Sequence, residues 1–329
     1  QTSPPVVESL RTNKLVVLPF KVLSDGEKGG NFSYGLVSDL TMKLQRVQGL
    51  TVISQRSAAA QDSTKPFKEI GQALKVGSII TGDVMESVGD VRINVKLVDA
   101  NSGALQWSES YDGTLEGILH LQSQIAQSVA KQLKGVLGVA ETASLSKPET
   151  KSAKAYEFYL QGRKEWNKRT KVSFDAAINL FNQAIALDEN FALAYVGIAD
   201  VKLMETFYSI SYPKEVVEKA RKASEKALEI NPNSGEALTN LAMITMSFDY
   251  ELTKANEFFI KAMKLNPNHA ITYTWGGACA QILGNHEEGL RRSRRGFELD
   301  PSNAISEHGV CLSLIYSKEI ESAKNKAIV

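Results

Sequence analysis

The stretch that decides the fold is Leu187-Asp188-Glu189-Asn190, which recurs as Ile230-Asn231-Pro232-Asn233, Leu265-Asn266-Pro267-Asn268 and Leu299-Asp300-Pro301-Ser302. The four phrases begin at residues 187, 230, 265 and 299, at intervals of 43, 35 and 34 residues. Intervals near 34 residues are typical of repeated helix–turn–helix units. Proline has no N–H to donate and disfavours the helical conformation of the preceding residue, and Asn or Asp favours a turn. Each phrase therefore predicts the end of one helix and the approach of the next unit.

Small residues lie in register before each phrase, in pairs that are seven residues apart and so share one helix face. The pairs are Ala177 with Ala184, Ala220 with Ala227, Ala255 with Ala262, and Gly289 with Gly296. Between the members of each pair lie Phe181, Ser224, Phe259 and Ser293. The preceding helices repeat a large and a small residue, namely Phe158 with Gly162, Tyr195 with Ala199, Leu238 with Ala242, and Tyr273 with Gly277. Small side chains at these places predict helices that pack closely in pairs.

This arrangement of small, aromatic and proline positions resembles the tetratricopeptide repeat, over about residues 153–302. The resemblance implies an all-α superhelix in residues 153–329, with about four repeats and a partial fifth repeat or cap. Two features depart from the family pattern. Glu189 stands where a proline is expected, and an insertion occurs around residues 207–213.

The first part of the chain predicts a different class of domain. Apolar runs at 14–20 and 50–54 indicate strands, and the spacing of Leu36, Leu40 and Leu44 predicts a helix over 32–47. A helix from Pro66, three strands joined by tight turns between 78 and 111, and a long helix over 115–136 follow. We expect an α+β domain over 14–139, with a mixed β-sheet covered by helices. Residues 1–13 are predicted to be a tail and the polar residues 140–152 a linker.

Several short phrases of this part, in order, carry a second resemblance. They are Leu18-Pro19-Phe20, Gly35-Leu36, Val52-Ile53-Ser54-Gln55-Arg56-Ser57, Ile70-Gly71, Gly82-Asp83-Val84, and Leu97-Val98-Asp99-Ala100 with Gly103 and Trp107. Over about residues 14–137 they resemble the α/β domain similar to the amino-terminal domain of TolB. In that family the domain commonly lies between an upstream output domain and downstream tetratricopeptide repeats. The resemblance implies that the output is a class III adenylate or guanylate cyclase or a winged-helix regulator.

The residues show no recognisable catalytic constellation, and we predict no cofactor and no metal. The four histidines are dispersed, and none has a second His or a Cys at metal-ligand spacing. A net charge of +1 gives no reason to expect direct nucleic acid binding. Cys279 and Cys311 either pair in a disulfide or remain buried thiols, and the sequence leaves this open. Gly26, Gly29 and Gly30 with Lys28 form either an anion-binding loop or a plain flexible loop.

The candidate partner-binding residues come from the repeat register, because the first helices of such units line a groove. The candidates are Tyr159, Arg163, Trp166, Asp200, Thr239, Met243, Thr274 and Gln281. An arginine among aromatic residues and methionines suits a peptide that carries a carboxylate. A separate run, Arg291, Arg292, Arg294 and Arg295, is a candidate anion patch. The alternative is a solvated helix whose arginines pair with an acidic neighbour.

From these features we predict a non-catalytic sensory or scaffold region that binds a protein or peptide in its groove and regulates an attached or partner output domain. The setting is a bacterial signalling protein in which a cyclase or winged-helix domain lies upstream in the same gene product. Two alternatives remain, a cell-envelope assembly scaffold and an enzyme with a site around Asp25, Lys28 and Tyr34. A removed signal or membrane anchor stays open, since the sequence starts at Gln1 and not at Met. A homodimer and a cytoplasmic or periplasmic location also stay open.

Overall fold

The structure is a computed structural model that describes residues 13–23, 27–87, 90–114, 117–135, 138–207 and 213–316. The chain divides into two compact units. The first holds the described residues up to Pro148, and the second holds most of those from Glu149 onward. Among the described residues, no helix is both long enough and apolar enough to cross a membrane.

The first unit combines six strands with five helices in the described residues. The strands are β1 (Lys14–Val17), β2 (Lys21–Val22), β3 (Thr51–Val52), β4 (Ser78–Ser87), β5 (Asp90–Asp99) and β6 (Leu105–Thr114). The helices are α1 (Glu27–Gln45), α2 (Gln55–Ala59), α3 (Phe67–Leu74), α4 (Ile118–Lys134) and α5 (Val139–Ser146).

The strands form one mixed sheet in the order β3-β1-β4-β5-β6, with β2 also paired to β4. β1 is parallel to β3 and β4, whereas β4, β5 and β6 form an antiparallel meander. The apolar run of β1 is buried, and Val16 packs with Ile79 and with Ile70 and Leu74 of α3. Helix α1 packs on the same strands and on α4. The predicted mixed sheet with covering helices is therefore confirmed.

The meander has one polar face that remains in contact with solvent, as the alternation in β5 predicts. Arg92 donates to the carboxylate of Asp112 on β6 through Nε (2.6 Å) and a second nitrogen (3.1 Å). Ser110 donates to Asn94 Oδ1 (2.6 Å), and Asn94 Nδ2 donates to Asp83 Oδ1 (2.5 Å). Side-chain hydrogen bonds thus run across all three strands of the meander.

The structure corrects the prediction for the segment before the first long helix. Helix α1 begins at Glu27, so Gly29 and Gly30 are helical and do not form an anion-binding loop. Gly26 and Asp25 lie outside the described residues, and so does the side chain of Lys28. Tyr34 is half-buried within α1.

The stretch predicted as a polar linker contains a helix, α5, over Val139–Ser146. Lys43 of α1 is buried and donates to Ser123 Oγ of α4 (2.7 Å) and to the Leu145 carbonyl (3.4 Å). Leu145 itself is buried. A contact between residues so distant in sequence has no local signal, and composition alone therefore indicated a linker.

The second unit is helical throughout its described residues. Its helices are α6 (Ala153–Asn167), α7 (Lys171–Leu187), α8 (Ala192–Phe207), α9 (Pro213–Ile230), α10 (Gly235–Ser247), α11 (Leu252–Leu265), α12 (Ala270–Ile282), α13 (His286–Leu299) and α14 (Ala304–Tyr316). Each helix packs on the next. The helices α6, α8, α10, α12 and α14 also contact one another in turn. The short turns between neighbours give antiparallel helix pairs, as predicted. The rest of the predicted fifth unit, 317–329, lies outside the described residues, as does most of the insertion (208–212).

The recurring phrase ends its helices in the same way in three units. Asp188, Asn231 and Asn266 each accept a hydrogen bond from the backbone N–H two residues on, at 3.0, 3.2 and 3.4 Å. Their own N–H groups donate to the carbonyls of the small residues Ala184, Ala227 and Ala262. This side-chain turn competes with continued helix and stops it.

The small residues predicted at helix contacts are buried. All six alanines of the first three pairs have an exposed fraction of 0%. Phe181 and Phe259 are equally buried, and so is Ser224. The side chain of Ser224 turns back and donates to the Ala220 carbonyl (2.9 Å). The register read from the sequence therefore matches the helix contacts of the second unit.

Candidate functional site

A polar ladder crosses the first helices of three successive units. Arg163 of α6 donates to Asp200 Oδ2 of α8 at 2.6 Å, and Asn240 of α10 donates to Asp200 Oδ1 at 2.9 Å. The side chains of Arg163 and Asp200 are 23% and 19% exposed, so the pair reaches solvent. A carboxylate held by two donors fixes the guanidinium in one orientation.

Trp166 forms an aromatic base beside this ladder. The guanidinium carbons of Arg163 and Arg169 lie over its ring, 4.3 and 3.6 Å from the centroid. The side chain of Trp166 is buried. Arg169 has a positive φ of 58°, the left-handed conformation, just before the capping box of α7. The cation–π contacts hold both arginines where the first two helices of this unit meet.

Most of the other groove candidates are buried, which corrects their predicted exposure. The buried candidates are Tyr159, Thr239, Met243, Thr274 and Gln281. Thr239 shares a 2.7 Å hydrogen bond with Thr272 of the next unit, and Thr274 shares one of 2.9 Å with Ser306. Gln281 contacts the His286 ring nitrogen Nδ1 at 2.8 Å. These side chains join neighbouring helices and do not present a surface to a partner.

Tyr159 shows why the repeat register alone does not predict which side chains are exposed in the groove. Its ring packs among Tyr156, Phe181 and Phe191, with centroid distances of 5.2 to 6.1 Å. Burial raises the pKa of its hydroxyl. An aromatic side chain at a groove position is here part of the core of the first helix pair.

The arginine run on α13 does not form a single anion patch. Arg292 is buried and donates to Glu288 (2.6 Å), to Asn256 (2.7 Å) and to the Gly276 carbonyl (3.1 Å). Arg291 is exposed and makes two bonds to the same Glu288, at 2.6 and 2.7 Å. Arg295 donates to Glu298 and to Asn268. Only Arg291 and Arg294 are exposed, because neighbouring side chains of a helix point in different directions.

Comparison with known proteins gives two kinds of relative. No protein-family model matches the chain. A putative adenylate cyclase 3 of Rhizobium meliloti (strain 1021) is 25% identical over 192 residues, which are 58% of this chain and 33% of the cyclase. The transcriptional regulator HilA of Salmonella paratyphi A is 25% identical over 309 residues, 92% of this chain and 54% of the regulator. The chain therefore spans a third of the length of the first relative and about half of the second.

Solved structures similar to the chain include TTC0263, a thermophilic tetratricopeptide repeat protein of Thermus thermophilus. It is 12% identical, has a TM-score of 0.42, and covers 61% of this chain and 99% of its own. TolB from Acinetobacter baumannii is 17% identical with a TM-score of 0.30, over 38% of this chain and 29% of its own. The chain resembles tetratricopeptide repeat proteins. The helix pairs of the second unit agree with the resemblance predicted from the repeated phrase and the phased small residues.

The two cysteines occupy equivalent places in the fourth and fifth tetratricopeptide units, and neither forms a disulfide. Cys279 is buried and donates to the Leu252 carbonyl at 3.5 Å, whereas Cys311 is half-buried. Burial raises the pKa of the Cys279 thiol. In the part of the chain that the structure describes, no group of three His, Cys, Asp or Glu side chains is placed to hold a metal ion.

The Glu288 ion pair of the fourth tetratricopeptide unit should make stability depend on acid pH. Hydrogen bonds from Arg291 and then Arg292 lower the pKa of Glu288 from 4.5 to about 2. Because the folded pKa is depressed, the stabilisation is complete above pH 4.5 and is lost as the pH falls toward 2. Glu288→Gln should therefore lower the free energy of unfolding clearly at pH 6 and much less at pH 3. Urea unfolding of both proteins measures the difference, and the exposed neighbour Glu287→Gln is the control. A difference that stays constant with pH would contradict this assignment.

Proposed function

We propose that this chain is a protein-binding regulatory region whose tetratricopeptide units hold a peptide segment and control an attached output domain. The α/β unit would be a domain similar to the amino-terminal domain of TolB, and the region itself would be non-catalytic. The observation that carries the binding role is the ladder of Arg163, Asp200 and Asn240, which places oriented polar groups on three successive first helices.

The chemistry of the ladder favours an extended peptide with an acidic or carboxylate group. The side chain of Arg163 reaches solvent beside Asp200, and its stacking on Trp166 limits its motion. Fixing the donor before binding reduces the entropy lost in the complex. Trp166 itself is buried, so its part in binding is to orient Arg163 and not to contact the peptide.

The regulatory role is supported by the two curated relatives, which are a cyclase and a transcriptional regulator. Both are longer than the part that matches, so the remainder of each has room for an output domain. We expect the natural reading frame around this sequence to encode a class III cyclase or a winged-helix domain on the amino-terminal side. A complete reading frame that encodes neither would contradict this part of the proposal.

Binding is testable with peptides selected from a random phage-displayed library on the immobilised chain, followed by calorimetry with the synthetic peptides. Arg163→Ala should weaken binding at least tenfold, or about 1.4 kcal/mol. Arg221→Ala is the matched control, because Arg221 forms a similar ion pair with Asp249 at 2.7 Å, also 23% exposed, on a second helix. If both variants weaken binding of the selected peptides equally, or if neither variant weakens it, the ladder has no binding role.

A further inference from the structure

The sheet of the first unit ends in an unusually long edge strand. β6 has ten residues, and among the described residues no strand pairs with its outer side. The strand at the opposite edge, β3, has two residues. Edge strands offer unpaired N–H and C=O groups, and proteins usually shorten them or protect them with lysine, proline or a bulge. β6 contains neither Lys nor Pro, and its irregular register occurs near its start, opposite Leu97 and Val98.

The outer edge of β6 is also accessible. Gln106, Ser108, Ser110 and Asp112 are all exposed on the polar face of the sheet. On the other face Trp107 is half-buried and Tyr111 is buried under α4. Leu105, which lies beyond the irregular register, is 58% exposed. A second strand can therefore approach without displacing a covering element of the described chain.

We propose that β6 pairs with β6 of a second copy of this chain, antiparallel about a two-fold axis at Ser110. This inference is independent of the proposed peptide binding. The axis at Ser110 aligns residues 106–114 of the two copies, which is nearly the whole strand. Because the odd residues of one strand then lie opposite the odd residues of the other, each face of the sheet continues across the dimer.

The side chains of β6 are complementary to themselves in this register. Trp107 lies opposite Gly113 of the second copy, where the indole would meet the side chain of Leu121 that packs on that glycine. Ser108 lies opposite Asp112, whose carboxylate can accept from the serine hydroxyl, and Glu109 lies opposite Tyr111. Within one chain the Tyr111 hydroxyl already donates to Glu109 at 2.8 Å, which shows that the two side chains suit each other.

The charges of β6 argue against the neighbouring register, in which the two-fold axis lies at Glu109. Both charged residues of β6, Glu109 and Asp112, are acidic, and an axis at Glu109 would place two carboxylates directly opposite each other. Asp112 is held by Arg92 of its own chain and brings no isolated charge. The pairing uses the only long edge that the described sheet of each copy offers, so it closes as a dimer and does not continue into a fibre.

Lysine substitutions test the register. Ser110→Lys places two ammonium groups together at the axis and should raise the dimer dissociation constant at least tenfold. Ser108→Lys places the same side chain opposite Asp112 of the second copy and should leave the dimer intact or strengthen it. Sedimentation equilibrium of the whole chain from about 1 to about 100 μM, the range of ordinary reversible association, measures both. A wild-type chain that stays monomeric over this range, or equal weakening by the two lysines, would overturn the proposal.

Cysteine cross-linking gives a second readout that does not depend on tolerance of lysine. In a Cys311→Ser background, Ser110→Cys should form a disulfide-linked dimer on mild oxidation, because residues opposite each other have Cα atoms about 4.5–5.5 Å apart. Ser108→Cys, equally exposed on the same face, should not, since four residues along the strands separate the two copies of that position by about 13 Å. Cross-linking at Ser108 as rapid as at Ser110 would contradict the Ser110 axis.

Discussion

Phe181→Ala is expected to destabilise the tetratricopeptide unit by about 3–5 kcal/mol. The ring is fully buried and lies against two glycines of neighbouring helices. A Cβ added at Gly162 would lie 2.5 Å from the ring, and one at Gly197 would lie 2.6 Å from it. The backbones of α6 and α8 are therefore already in contact with the ring. Alanine would therefore leave a cavity between the two backbones, and we expect the helices to close it only in part.

Urea unfolding followed by circular dichroism measures this effect. Val172→Ala on the same helix is the control, because its side chain is 80% exposed and its loss should change stability by less than about 0.5 kcal/mol. A loss below about 1 kcal/mol for Phe181→Ala would show that the helices do close around the cavity. That result would contradict the view that Gly162 and Gly197 hold the two backbones against the Phe181 ring.

Arg292→Leu is expected to destabilise the fourth unit by about 3 kcal/mol. The guanidinium is buried and joins three elements, through Glu288 of α13, Asn256 of α11 and the Gly276 carbonyl of α12. Leucine would leave the buried Gly276 carbonyl and the half-buried Asn256 amide oxygen without this donor, and the loss of a buried hydrogen bond is costly. Glu288 would keep its bonds to Arg291, so the carboxylate itself is not left unpaired.

The matched control is Arg291→Leu, which removes the other arginine bound to Glu288. The Arg291 side chain is 64% exposed, whereas that of Arg292 is 5% exposed. Exposed ion pairs contribute little, so this control should cost about 1 kcal/mol or less. Chemical unfolding at neutral pH compares the two proteins. Equal losses would mean that burial of Arg292 is not what makes it important.

The helix pairs of the second unit were predictable because their signals are local. The Asn or Asp of the repeated phrase makes its turn within two residues, and the alanine pairs follow from helical periodicity alone. The prolines add a stop that needs no tertiary partner. For the same reason Glu189, in place of a proline, did not change the outcome, since Asp188 still makes the turn.

The candidate site was predictable only in part, because exposure depends on how helices cross. The register correctly placed Arg163 and Asp200 on facing first helices, where they form an ion pair. It could not show that Met243 and Thr239 would be buried by the helices on either side. Asn240, the third member of the ladder, was missed. A search for donors one unit away from Asp200 would have found it.

In the first unit, the predictions failed where contacts between distant residues decide the structure. The two-residue strand β2 forms because Lys21 and Val22 reach Asp83 and Val84 of β4. The helix in the presumed linker is held by Lys43, which lies 102 residues before Leu145 in the chain. Neither segment is long enough for its hydrophobic periodicity to indicate its secondary structure.

The alternation of aromatic and hydroxyl residues between the small-residue pairs has a consequence for how the second unit comes apart. The first and third repeats are anchored by Phe181 and Phe259, whereas the second and fourth have Ser224 and Ser293 at the same place. Serine supplies hydrogen bonds but buries little apolar area, so the hydrophobic stabilisation differs from one repeat to the next. In such an array each repeat contacts only its neighbours, so repeats of different stability can unfold separately. Amide hydrogen exchange should then show alternating protection, slow around Phe181 and Phe259 and faster around Ser224 and Ser293.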